Sequence, residues 1–267
     1  MPQIEARQPP VPPPPVDDPH WQALLSRCAS SPVPSPASPL HALYAPLLAA
    51  REQGPIAVGH LAQSLDGRIA ISNGLSRWLS GAEDLLHTHR MRAIADAVLV
   101  GANTVLHDDP QLTVRLCAGA NPVRVIVDPD RRLDGGQRVF RDGAAPTLLL
   151  VAADRAGPGT PTRQGHAEVV PMPRTACGGL DPHAIRQLLT ARGLPWLFIE
   201  GGGVTVSRFL AAGALDRLQI TVAPVILGSG RPGIALPEIT DLGASLRPRT
   251  RRFTFGDDVM IECDFRG

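Results

Sequence analysis

The 267-residue chain contains no lysine: all 26 of its basic side chains are arginine. That absence excludes a phosphate-loop lysine, a Schiff-base lysine and a Ser/Lys dyad, whatever the fold. It favours planar, bidentate recognition of anions. Aromatic residues make up only 4%, which leaves little surface for stacking bases. With 25 acidic residues against the arginines the formal charge is +1, so neither a nucleic-acid-binding coat nor an acidic tail is expected. No apolar run approaches the about 18 residues needed to cross a bilayer, and residues 1–20 lack the charged-then-apolar order of a secretory signal. The expectation is a cytoplasmic protein with no membrane partner. The four cysteines, Cys28, Cys117, Cys177 and Cys263, are far apart and form no C-x-x-C pair. They read as buried thiols in a reducing compartment, not as zinc or redox sites.

A hydrophobic content of 43% is enough for one large α/β domain or two small ones. Thirteen of the 28 prolines fall within the first 46 residues, including the run Pro12–Pro15. Residues 1–50 are therefore expected to be an extended or disordered leader. Short apolar pieces around Trp21–Leu25 and Leu40–Leu48 interrupt it and are candidates to dock on the body. From Gly54 to the end, residues 54–267, short Val/Ile/Leu runs alternate with helical patterns, the signature of a largely parallel sheet. The pattern predicts strands at 56–62, 97–101, 123–127, 147–152, 167–170, 196–199 and 218–226. A C-terminal hairpin, 252–255 with 259–264, turns around Gly256-Asp257. Ser80 with Glu83 three residues later predicts a capping box before Leu85, Leu86 and Met91. A second helix should follow Asp181 and Pro182 and end at Gly193, and a third should run over 204–212 to Gly213.

Phe198-Ile199-Glu200-Gly201-Gly202-Gly203 places three glycines between a strand and a helix start. Side-chain-free backbone amides at a positive helix end suit a pyrophosphate. A tight strand-to-helix turn with no ligand fits the spacing equally well. Gly228-Ser229-Gly230-Arg231-Pro232-Gly233 matches G-x-G-x-x-G, but Pro232 argues against a following helix and the segment reads as a loop. His166-Ala167-Glu168 imitates the H-x-E of zinc deaminases without their cysteine pair, and a turn leading into a strand is the simpler reading.

The densest polar constellation lies between Gly59 and Arg115: Ser64-Leu65-Asp66-Gly67-Arg68, Ser76-Arg77-Trp78, Arg90 and Arg92, Thr104, Asp108-Asp109-Pro110 and Leu112-Thr113-Val114-Arg115. Two residues apart on a helix, Arg90 and Arg92 point about 200° from each other. At most one faces a given pocket, and the other is expected to be solvated. Arginines with Ser and Thr near strand ends suit a phosphate.

Taken together, these blocks resemble the C-terminal reductase domain of the bacterial riboflavin-biosynthesis deaminase/reductase, a dihydrofolate-reductase-like family. The resemblance rests on S-L-D-G-R at 64–68, G-x-S-x-W at 74–78, R-A at 92–93 and D-A-V-L-V-G at 96–101. It continues through T-V-L-x-D-D-P-x-L-T-V-R at 104–115, E-G-G at 200–202 and A-P-V-I-L-G at 223–228. It implies a central mixed, mostly parallel sheet flanked by helices with an antiparallel C-terminal hairpin. It implies NADPH-dependent reduction of 5-amino-6-(5-phosphoribosylamino)uracil to its ribitylamino form, and a homodimer. By the same resemblance Ser76, Arg92, Leu112 and Arg115 hold the phosphorylated substrate. Asp108 and Glu200 serve the chemistry, and Ala62, Trp78, Thr104, Asp108, Gly202, Gly203, Val204 and Thr205 face the cofactor. The deaminase domain that usually precedes this reductase has only the proline-rich leader in its place.

Two positions depart from the family pattern. His60 stands where many members carry Lys, either as a partly buried strand residue with satisfied ring nitrogens or as a pocket group with pH-dependent charge. Pro129 follows Asp128 where a Ser often helps hold the adenosine end, leaving Arg131 and Arg132 to grip a 2′-phosphate. The alternatives are a same-fold reductase acting on a pterin or another heterocycle, and a nucleotide-binding homologue without turnover.

Overall fold

The computed structural model describes residues 18–26, 39–76, 78–157, 159 and 161–266. Cys28, Arg77 and most of the leader therefore lie outside the described residues. Two leader pieces are helices, α1 (Pro19–Ser26) and α2 (Pro39–Glu52). In chain order there follow β1 (Ile56–Ser64), β2 (Arg68–Ile71), α3 (Ala82–Ile94), β3 (Ala97–Gly101), α4 (Ala102–Asp108), β4 (Val123–Val127), α5 (Arg138–Arg141) and β5 (Thr147–Ala152). The chain continues with β6 (Arg163–Gln164), β7 (Ala167–Met172), α6 (Pro182–Ala191), β8 (Trp196–Glu200), α7 (Gly203–Ala211), β9 (Arg217–Ala223), β10 (Gly230–Pro232), β11 (Arg249–Phe255) and β12 (Asp258–Asp264).

Among the described residues ten strands form one sheet in the order β11-β12-β9-β1-β8-β3-β4-β5-β7-β6. The run from β9 to β7 is parallel, and β12, β11 and β6 are antiparallel additions. The parallel strands are apolar on both faces because each face carries a helical layer. Ile56, Val58, Val98, Val100 and Phe198 pack with Met91 of α3 and with Trp21 and Leu47 of the leader helices. Ala57, Leu61, Leu99, Leu197 and Ile199 pack with Ile185 and Leu189 of α6 and Val206 and Phe209 of α7. The dihydrofolate-reductase-like α/β architecture expected from the sequence is the one observed.

Several local expectations are corrected. Ser80 does not cap α3: the N-cap is Gly81, with no side-chain cap bond, and the Ser80 hydroxyl donates instead to Asp84 Oδ2 at 2.6 Å. The Gly81 amide finds its acceptor on the distant hairpin, at Asp258 Oδ2. The segment read as a loop at 228–233 contains β10, which pairs antiparallel with β2. The strand expected over 218–226 ends at Ala223. Arg90 is not solvated: it ion-pairs with Asp18 at 2.7 Å and lies over the rings of Trp21 and Tyr44. The leader helices cover it, and no local periodicity around Arg90 reports that cover. Cys177 is exposed and Cys117 half-buried, so only Cys263 of the described cysteines is buried. No helix among the described residues is long and apolar enough to cross a membrane.

Candidate active site

After β3 the chain proceeds toward β4, whereas after β8 it crosses β1 to reach β9. The carboxyl ends of β3 and β8 thus flank a topological switch point, where open α/β sheets form their crevice. A cavity of about 1400 Å³ opens there, above the usual range for small-ligand pockets and roomy enough for two ligands side by side. Ala62, Ser76, Trp78, Thr104, Asp108, Arg115, Glu200 and residues 202–205 all line it. Arg92, Leu112 and Arg131 do not.

At one end of this cavity the glycine turn joins β8 to α7. Gly201 and Gly202 have φ of 67° and 70°, a region that only glycine enters without strain. A Cβ on Gly202 would lie 3.0 Å from Thr104 Oγ1. A Cβ on Gly101, where β3 meets α4, would lie 2.5 Å from Thr205 Oγ1. The two strand-to-helix turns are therefore in close contact, and residues 202–205 at the N-terminus of α7 line the cavity. Pro129, Arg132 and Arg208 also line the cavity. Arg132 donates to Asn103 Oδ1 at 2.9 Å, and Arg208 forms no ion pair among the described residues. The site can accept a dinucleotide: amides without side chains for a pyrophosphate, and two guanidinium groups beyond them.

Arg115, which also lines the cavity, has no carboxylate partner among the described residues. Its Nη1 donates to Thr113 Oγ1 at 2.7 Å. Burial, and then the nearby Arg92 charge, lower the guanidinium's pKa, so an incoming anion meets an under-compensated cation. Arg92 itself is turned inward. Its Nε donates to Glu200 Oε2 at 2.7 Å, its Nη2 to Glu200 Oε1, and its Nη1 to the Thr113 carbonyl at 3.0 Å. It holds the cavity-lining carboxylate and the 113–115 segment in place from behind. Leu112 is buried in the core at φ 55°, and its contribution is the bend that aims the following residues.

Ser76 donates to Asp108 Oδ1 at 3.2 Å, bringing the G-x-S-x-W segment onto the end of α4. The S-L-D-G-R block is a clamp. The Ser64 hydroxyl donates to Asp66 and accepts from the Arg68 amide, and Asp66 accepts the amides of Leu227 and Gly228. Those bonds hold the exposed Asp66 carboxyl down at about 2. His107, not anticipated from the sequence, also lines the cavity. Its Nδ1 donates to the Asn103 carbonyl at 2.7 Å and its Nε2 accepts from Arg231 at 3.1 Å.

A buried polar cluster under the cavity floor was only partly visible in the sequence. His60 Nε2 lies 3.1 Å from Asp84 Oδ1 and 3.4 Å from Thr221 Oγ1, and Thr221 also donates to Asp84 at 2.5 Å. Burial alone would raise the Asp84 pKa, but the His60 charge and hydrogen bonds from His60, Ser80 and Thr221 pull it below the ordinary carboxylate range. Behind it His87 is fixed between the Tyr44 hydroxyl at 2.6 Å and Gln219 Oε1 at 2.9 Å. The usable signals were polar residues at the wrong phase for solvent: Thr221 inside an apolar strand, and Asp84 on the buried face of α3.

Burial first, then the His60 charge, pushes His87 down to about 3; burial, then Arg92 and Arg115, does the same to His89. An unfolded chain protonates these imidazoles near 6.5, the folded chain only near 3. Their contribution to stability is therefore complete above 6.5 and is lost as pH falls through that window, at about 1.4 kcal/mol per pH unit for each. Thermal melts should show a Tm lower by on the order of 10 °C at pH 5 than at pH 7. His87→Gln should flatten that dependence by about half. A Tm independent of pH over this range contradicts neutral burial of the two rings.

With this geometry in view, the comparisons are specific. Residues 56–257 match the model of the RibD C-terminal domain. The chain is 34% identical over 220 residues to the 2,5-diamino-6-ribosylamino-4(3H)-pyrimidinone 5′-phosphate reductase of Methanothermobacter thermautotrophicus, covering 80% of this chain and 99% of that protein. It is 32% identical to the riboflavin biosynthesis protein RibD of Aquifex aeolicus, covering 75% of this chain but 55% of that longer protein. The solved diaminohydroxyphosphoribosylaminopyrimidine deaminase/5-amino-6-(5-phosphoribosylamino)uracil reductase of Thermotoga maritima superposes with a TM-score of 0.66 at 28% identity. That match covers 82% of this chain and 58% of that one.

Proposed function

The chain belongs to the RibD C-terminal domain family, and from that premise we propose that it is a riboflavin-biosynthesis reductase. It takes a phosphorylated ribosylaminopyrimidine to the ribitylamino compound, with NADPH as the reductant. The observation that carries the reading is that one continuous cavity joins Arg115 to the glycine turn at 201–203. A sugar phosphate held by the first and a pyrophosphate held by the second bring a ribose carbon and a nicotinamide into one hollow.

The bound nicotinamide supplies hydride; the chain supplies position and charge. Arg115, steadied by Thr113, holds the phosphate, and Glu200, locked by Arg92, presents a fixed carboxylate to the polar edge of the substrate. Asp108, joined to Ser76, stands on the sugar side. Arg132 and Arg208 favour the 2′-phosphate of NADPH over the bare ribose of NADH. A homodimer in the cytoplasm is part of the same reading.

The test is loss of the reduced nicotinamide's near-ultraviolet absorbance with 5-amino-6-(5-phosphoribosylamino)uracil and with its 2,5-diamino precursor, beside dihydrofolate as a pterin control. Turnover with a ribosylaminopyrimidine phosphate and none with dihydrofolate is expected. Turnover only with dihydrofolate, or nucleotide binding without oxidation, overturns the proposal. Arg115→Ala should raise KM for the phosphorylated substrate about 100-fold while changing that for its dephosphorylated form little, as loss of a charged hydrogen bond to phosphate requires. Equal losses for both forms reassign Arg115 to structure.

A further inference from the structure

We propose that His60 is the acid that opens the substrate's sugar ring, with Asp84 as the residue that positions it. The inference rests on the reductase reading above and adds a catalytic residue to it. His60 lines the cavity, and its register neighbour on β8 is Glu200. In aligned parallel strands the two side chains stand on the same face. The Gly201 amide donates to the His60 carbonyl at 3.0 Å, so the residue adjoins both the fixed carboxylate and the nucleotide turn.

Its two ring nitrogens have different surroundings. Nε2 faces the Asp84 carboxylate, which also accepts from Thr221 and Ser80, and this holds the proton on Nε2. Among the described residues Nδ1 has no hydrogen-bond partner, and the ring that carries it lines the cavity. An imidazole anchored through one nitrogen by a carboxylate carries or releases a proton at the other. The other cavity histidine lacks this freedom, because His107 donates from Nδ1 to a carbonyl and accepts at Nε2 from Arg231.

The groups facing His60 are few. From α3 come Asp84 and His87, whose ring lies 5.3 Å away. From β9 come Thr221 and Gln219, from β8 Glu200 and Phe198. His87 is itself saturated by Tyr44 and Gln219 and pushed down to about 3, chiefly by burial, so it stays neutral and does not compete for the proton near neutrality.

The chemistry needs one proton and one hydride. As the ring opens, the C1′–O4′ bond breaks with its electron pair going to O4′, which takes the proton from Nδ1 of the His60 imidazolium and becomes the 4′-hydroxyl. The lone pair of the exocyclic nitrogen forms C1′=N, and that nitrogen keeps its hydrogen. A bound reduced nicotinamide would supply the hydride that C1′ takes up as the C=N pair returns to nitrogen. Solvent reprotonates His60 after release, so each turnover consumes one NADPH and one proton.

His60→Gln keeps a donor toward Asp84 but cannot deliver a proton. It should lower kcat for the phosphoribosylamino substrate about 100-fold or more at neutral pH, with the dissociation constant for NADPH within about threefold of wild type as the check on folding. An analogue lacking the 4′ oxygen, which stays open, should be reduced by His60→Gln within a few-fold of the wild-type rate. In the ligand-free protein, imidazole nitrogen NMR should place the His60 proton on Nε2, and Asp84→Asn should abolish that preference. Near-wild-type turnover of the closed substrate by His60→Gln, equal losses on both substrates, or a His60 tautomer indifferent to Asp84→Asn overturns the proposal. A wild-type chain that reduces neither ribosylaminopyrimidine overturns the reductase reading with it; wild-type turnover alongside an unaffected His60→Gln removes only the role of His60.

Discussion

Gly203→Val should weaken binding of NADPH at least about 100-fold. A Cβ at this position would overlap the carbonyl oxygen of Gly233 and stand 2.7 Å from that of Pro232. Both obstacles are backbone atoms, so no side-chain rotation relieves the clash and either α7 or the β10 segment must move. The β10 segment is not free to follow. The Gly233 amide is bonded to the Gly67 carbonyl at 3.0 Å, and a Cβ on Gly230 would overlap the Ala70 carbonyl. The displacement therefore falls on the first turn of α7, whose residues line the cavity and are proposed to cradle the nucleotide. Overpacking of this kind costs about 1–3 kcal/mol of stability, which a chain of this size survives. The nucleotide site proposed at this turn depends on amide positions and should lose more: a weakening of at least on the order of 100-fold for NADPH, about 2.7 kcal/mol, is expected. Titration of nucleotide fluorescence measures it, with thermal melting to show that the fold persists. Unchanged affinity in a folded Gly203→Val chain takes this turn out of the nucleotide site.

The residues that read most clearly in the sequence are those whose role is local. Strands at Ala97–Gly101, Val123–Val127 and Thr147–Ala152 coincide with their apolar runs, because a parallel strand buried on both faces has to be apolar throughout. The α6 cap is equally plain: Asp181 accepts the His183 amide and Pro182 occupies the first turn. Where a local rule failed, a distant partner had taken the group. Ser80 has the spacing of a capping residue, but its hydroxyl serves Asp84, and Asp258, 177 residues away in sequence, takes the cap amide. The two apolar leader pieces expected to dock do pack on the body, though proline density gave no sign that they are helical. Pro19 and Pro39 in fact begin helices, where a missing amide costs nothing. The apolar faces of those helices bury Trp21 and Tyr44 against α3.

The candidate site was legible in its ends and not in its middle. Glycines and arginines announce themselves by type: a triple glycine before a helix and an arginine after a strand end each imply an anion. The distinction between Arg92 and Arg115 does not lie in type, since both are arginines that bond Thr113 and only three-dimensional pairing with Glu200 separates them. The His60 cluster depends on β1, β9 and α3 meeting at 24 and 161 residues' separation, which no window of sequence spans.

That pairing fixes the second large effect. Arg92→Gln breaks a nearly buried ion pair and strands Glu200, whose side chain is 18% exposed. Removing one partner of such a pair costs about 3–5 kcal/mol, because the other charge remains without compensation. In a domain of this size the Tm should fall by about 10 °C. The segment that bears Arg115 loosens too, since Arg92 Nη1 no longer holds the Thr113 carbonyl. Adding Glu200→Gln to Arg92→Gln removes the stranded charge and should recover more than half of the lost stability, a coupling of about 2 kcal/mol or more. Reduction should be lost in the double variant, because the carboxylate proposed to face the substrate is gone. The KM ratio between phosphorylated and dephosphorylated substrate should be far less sensitive to Arg92→Gln than to Arg115→Ala. Additive stability losses in the double variant, or an Arg92→Gln defect confined to the phosphorylated substrate, would instead make Arg92 a direct phosphate ligand that swings away from Glu200 when substrate enters.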